Sequence, residues 1–181
     1  MSQSCKHLKT APFLTVRLFL SFVCCCLFSP LASFAQRPSP PANDGILEPV
    51  SVKTDLYHAD TDAKLEIDYA LKRAATDHKR IMLIFGANWC YDCHVLDRAL
   101  HEGAAGKITK ESFLLVHVDI GEGNKNLDLV TKYKTTLDKG VPAVAILASD
   151  GKLLYSSSDG EFEAARRMMK KDLVAFLDHW K

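Results

Sequence analysis

The sequence predicts an α/β domain: a central mixed sheet with helices on both faces. Three observations point there. Residues 80–85 and 113–120 are short, nearly continuous apolar runs, the pattern of strands buried on both faces. Between and around them, apolar residues recur at helical spacing. A third run, 141–147, meets the turn Ser149-Asp150-Gly151-Lys152 and continues into Leu153-Leu154-Tyr155, which reads as a hairpin. Alternating strand and helix predicts that the first strands run parallel, with the hairpin adding an antiparallel edge.

The chain has 181 residues, and the first of them read as an export signal rather than as part of the fold. Lys6, Lys9 and Arg17 precede an apolar run from Leu18, and Ser33 and Ala35 supply small residues at a cleavage site. Residues 1–35 are therefore expected to be a secretory signal peptide, which implies a periplasmic or secreted protein. The alternative is an uncleaved membrane anchor over 18–35, about the minimum length for a span; Pro30 and three serines count against it. Residues 36–55, with Pro38, Pro40, Pro41 and Pro49, read as a proline-rich linker, extended by its composition, and 56–181 as the domain.

Within the domain, Leu65, Ile67, Ala70, Leu71, Ala74 and Ala75 mark a helix over about 61–78, with Asp60, Thr61 or Asp62 as cap. Gly86-Ala87-Asn88-Trp89 breaks the first strand, and a helix is expected over 90–100. A modest helix follows at 126–134. Phe162, Ala165, Met169, Leu173, Phe176, Leu177 and Trp180 put a core-packing stripe on a C-terminal helix. The leader holds three of the 23 basic residues and none of the 22 acidic ones, leaving a slightly acidic domain. That balance gives no footprint for nucleic acid or an anionic membrane surface.

Four of the six cysteines lie in the leader, so the domain keeps only Cys90-Tyr91-Asp92-Cys93. A disulfide across two intervening residues closes almost no loop and constrains the unfolded chain little. This pair is placed for chemistry.

Residues 84–93, a buried strand, a small break and Trp89-Cys90-Tyr91-Asp92-Cys93 entering a helix, resemble the active-site segment of the thioredoxin superfamily. Residues 79–90 are similar to exported thioredoxin-like domains and to the C-terminal domain of the membrane thiol:disulfide interchange reductase. Gly140-Val141-Pro142 matches the place where that family keeps a cis-proline. The resemblance covers roughly 60–180 and implies a thioredoxin-like fold and a protein-disulfide oxidoreductase. It implies Cys90 as the exposed nucleophile at a helix N-terminus, Cys93 as the resolving thiol, and Trp89, Tyr91, Val141 and Pro142 as the substrate groove. It calls for no cofactor beyond the redox-active disulfide Cys90–Cys93. Its implied partners are disulfide-containing client proteins and a redox partner such as a membrane thiol reductase.

Two departures stand out. The family's buried acid and its companion Lys fall at Ile84 and Leu115. Asp92 and His94, both beside Cys93, are the candidates for proton handling or pKa tuning in their place. A carboxylate between the cysteines should oppose the thiolate at Cys90, which puts the couple towards the reducing end. The plainer reading of His94 is a solvated helix residue, and His117 reads as a packed core histidine. A rival function uses the same residues: Cys90, Cys93 and His94 spell a c-type haem attachment motif, for which Met82, Met168 or Met169 could be second ligand. A structural zinc site lacks enough ligands, so no metal is expected. A thioredoxin-fold binding or chaperone module is the remaining alternative, and it would not require both cysteines.

Overall fold

The structure, a computed structural model, describes residues 45–52 and 55–181. The expected signal peptide and the first part of the proline-rich linker lie outside the described residues. No helix among the described residues is long and apolar enough to cross a membrane.

The elements are α1 (Ala63–Asp77), β1 (Arg80–Gly86), α2 (Tyr91–His101), α3 (Gly103–Ser112), β2 (Phe113–Asp119), α4 (Leu127–Lys132), β3 (Ala143–Leu147), β4 (Leu153–Ser156), a 3₁₀ turn (Ala165–Arg167) and α5 (Lys170–Trp180). They build a four-stranded sheet in the order β2-β1-β3-β4. Strands β1 and β2 are parallel, whereas β3 is antiparallel to β1 and β4 to β3.

The parallel arrangement expected for the third strand is thus corrected. Asp119 ends β2 opposite Gly86, and Ala143 opens β3 opposite Phe85, so the chain re-enters the sheet at the end it left. A parallel entry would have to travel back along a seven-residue strand, roughly 23 Å at 3.3 Å per residue. Helix α4, with six residues, covers only about 9 Å.

Helices cover both faces, as the sequence predicts. Ile81, Leu83 and Phe85 of β1 join a core with Ile67, Ala70 and Ala74 of α1 and Leu129 of α4. Met82 and Ile84 project to the other side, into a core with Leu96 of α2, Ala105 of α3 and Leu173 and Leu177 of α5. Strand alternation is what divides the apolar run of β1 between the two cores.

Three further differences have local causes. Helix α3 is absent from the sequence reading, since Gly103 and Gly106 weaken a helical signal and only Ala105 and Thr109 are buried. The C-terminal helix starts at Lys170, not near Phe162. Phe162 and Ala165 are buried, but Met168 and Met169 are extended, and Met169 bridges to Ile46. Residues 45–52 also pack onto the domain. The Leu47 N–H donates to the Met168 carbonyl at 3.0 Å and the Lys170 N–H to the Gly45 carbonyl at 2.9 Å. The Arg98 guanidinium donates to the Pro49 carbonyl at 2.9 Å.

Candidate active site

Strand β1 ends at Gly86, and after Ala87, Asn88 and Trp89 the chain turns into α2 at Cys90. Cys90 is the N-cap of that helix: its Sγ accepts the Cys93 N–H at 3.1 Å. Cys90 and Cys93 form a disulfide. A sulfur at this position lies beside unpaired amide donors and the positive end of the helix dipole, which favours negative charge on it. Cys93, one turn on, is fully enclosed. Cys90 is only 5% exposed, so the expectation of an openly exposed sulfur is corrected: the strap before α1 and the Val141 loop pack over it.

The Val141–Pro142 peptide is cis, and the Val141 carbonyl oxygen lies 3.4 Å from Cys90 Sγ. Trp89 stands 55% exposed beside the disulfide, its indole N–H donating to the Gly121 carbonyl at 3.0 Å. Tyr91 faces elsewhere. Its hydroxyl accepts the Val50 N–H at 3.4 Å and its ring packs on the core shared with α5.

Asp92 and His94 are both buried, each 6% exposed. The Asp92 carboxylate accepts the Arg166 backbone N–H at 2.7 Å and pairs with the Arg166 guanidinium. Its charge is therefore answered by the 3₁₀ turn, so Asp92 is not the free carboxylate expected to oppose a thiolate at Cys90. His94 is not solvated. Its Nε2 lies 2.9 Å from the Asn88 carbonyl, which can only accept, so Nε2 carries the proton and the ring braces the loop before Cys90.

Two residues that the sequence reading missed complete the site. The Asn88 side chain accepts the N–H groups of Leu56 and Tyr57 at 2.9 and 2.8 Å, and donates to the Tyr57 carbonyl at 2.7 Å. Tyr57, held in this way, is wholly buried against Cys90 and Cys93. Burial, together with the negative charges of Asp97 and Asp119, pushes its hydroxyl pKa well above the ordinary value. No local motif reports Tyr57, because Asn88, whose side chain holds its backbone, lies 31 residues further on.

Where the family keeps its buried acid, Ile84 is apolar and fully enclosed, with His117 as its register partner on β2. His117 is partly buried. Its ring meets Tyr57 edge-on at 5.4 Å between centroids, and its Nε2 lies 3.1 Å from Asp97 Oδ1 of α2. Among the described residues no group of His, Cys, Asp and Glu could hold a metal ion.

A family model described as thioredoxin-like matches residues 62–149. No curated protein matches the chain. Among solved structures, a disulphide isomerase from Xylella fastidiosa Temecula1 shares 33% identity, with 71% of this chain and 98% of that one covered and a TM-score of 0.65. The C-terminal domain of DsbD from Neisseria meningitidis, in its oxidised form, shares 16% identity over 67% of this chain and 97% of that one, with a TM-score of 0.46. From the Xylella match, the family model and the dithiol at the head of α2, the chain belongs to the thioredoxin-like family of disulfide oxidoreductases.

Proposed function

We propose that this chain is an exported protein-disulfide oxidoreductase that works in the reducing direction, with Cys90 as nucleophile and Cys93 as resolving thiol. The observation that carries the reading is the placement of the pair. Cys90 caps α2 with an N–H already directed at its sulfur, and Cys93 sits one turn behind it. In the reduced protein the Cys90 thiolate attacks a client disulfide and forms a mixed disulfide, releasing one client sulfur as thiolate. Cys93 then attacks Cys90 Sγ, the Cys90–Cys93 bond forms, and the second client sulfur leaves. Trp89 and the Val141–Pro142 loop flank the sulfurs and would receive an extended client segment along the backbone of Val141.

The surroundings of the sulfurs, rather than Asp92, support the reducing direction. The apolar side chains packed with the two sulfurs are Tyr57, Leu56 and Val141, and the Arg166 guanidinium at the head of α2 is paired with Asp92. A thiolate favoured only by the helix terminus is less stabilised than one beside a cation, and that places the couple towards the reducing end. Such an enzyme must be re-reduced, and a membrane thiol reductase fits an exported location. Export rests on the leader at 1–35.

The test is trapping. Cys93→Ser should accumulate a mixed disulfide between Cys90 and client proteins, and Cys90→Ser should accumulate none. Equal trapping by both, or by neither, refutes the assignment and would favour a binding or chaperone module. The c-type haem reading is disfavoured by His94, whose Nε2 is turned inward to the Asn88 carbonyl. A Soret band that survives denaturation of the exported protein would restore it.

A further inference from the structure

Tyr57 carries a hydroxyl that is wholly enclosed and, among the described residues, has no hydrogen-bond partner. A buried donor left unmade is costly, and native proteins rarely tolerate one without a use for it. Its position names the use. A Cβ built on Gly86 would fall 2.5 Å from Cys93 Sγ and 2.8 Å from Tyr57 Cζ, with Tyr57 Oη also in contact. The hydroxyl and the sulfur are therefore neighbours over the one residue of β1 that has no side chain to separate them. In the oxidised protein that sulfur is bonded to Cys90 and is a poor acceptor. When the disulfide opens it becomes a thiolate, the strongest acceptor this enclosed site can offer.

We propose that Tyr57 is a catalytic residue of the resolving step, its hydroxyl donating a hydrogen bond to the Cys93 thiolate in place of the buried acid that Ile84 replaces. The proposal rests on Cys93 being the resolving thiol. Tyr57 gives up no proton: burial and the nearby carboxylates keep its hydroxyl protonated. The Cys93 thiol first loses its proton to solvent; its electron pair then forms the new S–S bond to Cys90 while the client sulfur leaves as a thiolate, which takes a proton from solvent. In the opposite direction, a reductant thiolate attacks Cys90 Sγ and Cys93 leaves as a thiolate that Tyr57 receives. Three titratable groups face this hydroxyl from the packed elements: Asp97 on α2, and His117 and Asp119 on β2. The side chain of Asn88 fixes the donor in place through the Tyr57 backbone.

The experiment compares wild type with Tyr57→Phe, which keeps the ring and removes only the hydroxyl. Two readouts are taken: thiolate absorbance of Cys93 against pH in a Cys90→Ser background, and the equilibrium of the intact dithiol with glutathione. Losing the donor should raise the Cys93 pKa by about one unit, a tenfold loss of thiolate at a given pH below it. The glutathione equilibrium should move towards the oxidised protein, by up to about tenfold, or about 30 mV. Asn88→Ala, which frees the strap, should move both readouts in the same direction. An unchanged Cys93 titration in Tyr57→Phe overturns the proposal, whatever the equilibrium does, because repacking alone can shift an equilibrium. If instead the wild-type dithiol fails to exchange with glutathione, it is the oxidoreductase reading that falls.

Discussion

The Asn88 side-chain amide pairs with the Tyr57 backbone much as a neighbouring strand would, accepting its N–H at 2.8 Å and donating to its carbonyl at 2.7 Å. The same amide oxygen also accepts the Leu56 N–H. One residue of the loop before the dithiol thus holds the strap that closes over it. Asn88→Ala should cost about 1–3 kcal/mol, since it strands partly buried backbone groups. Asn88→Asp keeps the acceptor and loses the donor, and should cost less. Urea denaturation of the oxidised forms measures both, and equal costs would mean that accepting the Leu56 and Tyr57 N–H groups adds nothing.

Gly86 is the close-approach point between the strand and the site. A methyl there meets Cys93 Sγ and the Tyr57 ring at distances that real side chains essentially never show. Neither neighbour is a free-ended flexible chain, so one of them must move. Gly86→Ala should destabilise by about 1–3 kcal/mol, the usual cost of overpacking a core. The effect should be visible as a lower urea midpoint with an unchanged m-value. A wild-type midpoint would show that the strap yields without cost.

Much of this was legible in the sequence, and the limits are physical. Buried strands announce themselves by composition, so β1, β2 and β3 lie where residues 80–85, 113–120 and 141–147 suggested, within two residues at each end. The dithiol at the head of a helix follows from the break at Gly86-Ala87-Asn88-Trp89. The parallel pair β1–β2 and the hairpin β3–β4 were legible, but the direction of β3 against β1 was not, because it depends on which end of the sheet a connection returns to. Burial of Asp92 and His94 was not either. Their partners, Arg166 and the Asn88 carbonyl, become neighbours only through packing. Tyr57 lies in a segment with no periodicity, and its burial depends on an amide 31 residues further on.

Asp92 should behave as a clamp rather than as a redox tuner. Its enclosed carboxylate holds the first turn of α2 to the 3₁₀ turn, through one backbone N–H and the Arg166 guanidinium. The guanidinium is more than half exposed, so solvent screening discounts the ion pair to about 0.2–1 kcal/mol. Arg166→Ala should cost no more than that. Asp92→Ala, which also strands the Arg166 N–H, should cost about 1.5–3 kcal/mol. Neither change should move the Cys90 pKa or the glutathione equilibrium. Thiolate absorbance beside urea denaturation checks both, and a potential that follows Asp92→Asn would return the carboxylate to the redox argument.

Alkaline pH offers a separate view of Tyr57, through stability alone. Its folded-state pKa is raised, chiefly by burial and further by Asp97 and Asp119, while in the unfolded chain it titrates at its ordinary value of 10.0. Below that value both states hold the proton, and stability is unaffected. Above it the unfolded chain releases a proton that the folded protein keeps, so stability falls as pH rises. One such group contributes a slope of about 1.4 kcal/mol per pH unit. Tyr155 is shifted in the same direction, by burial and by Glu161, and adds to the fall. Urea denaturation of the oxidised protein between pH 9 and 11 should therefore show a steep decline above about pH 10. Tyr57→Phe should lessen that slope by close to one proton's worth, leaving the share of Tyr155 in place. An identical slope in the two proteins would mean that water reaches the Tyr57 hydroxyl in the folded state, and the enclosed donor over Gly86 would not exist.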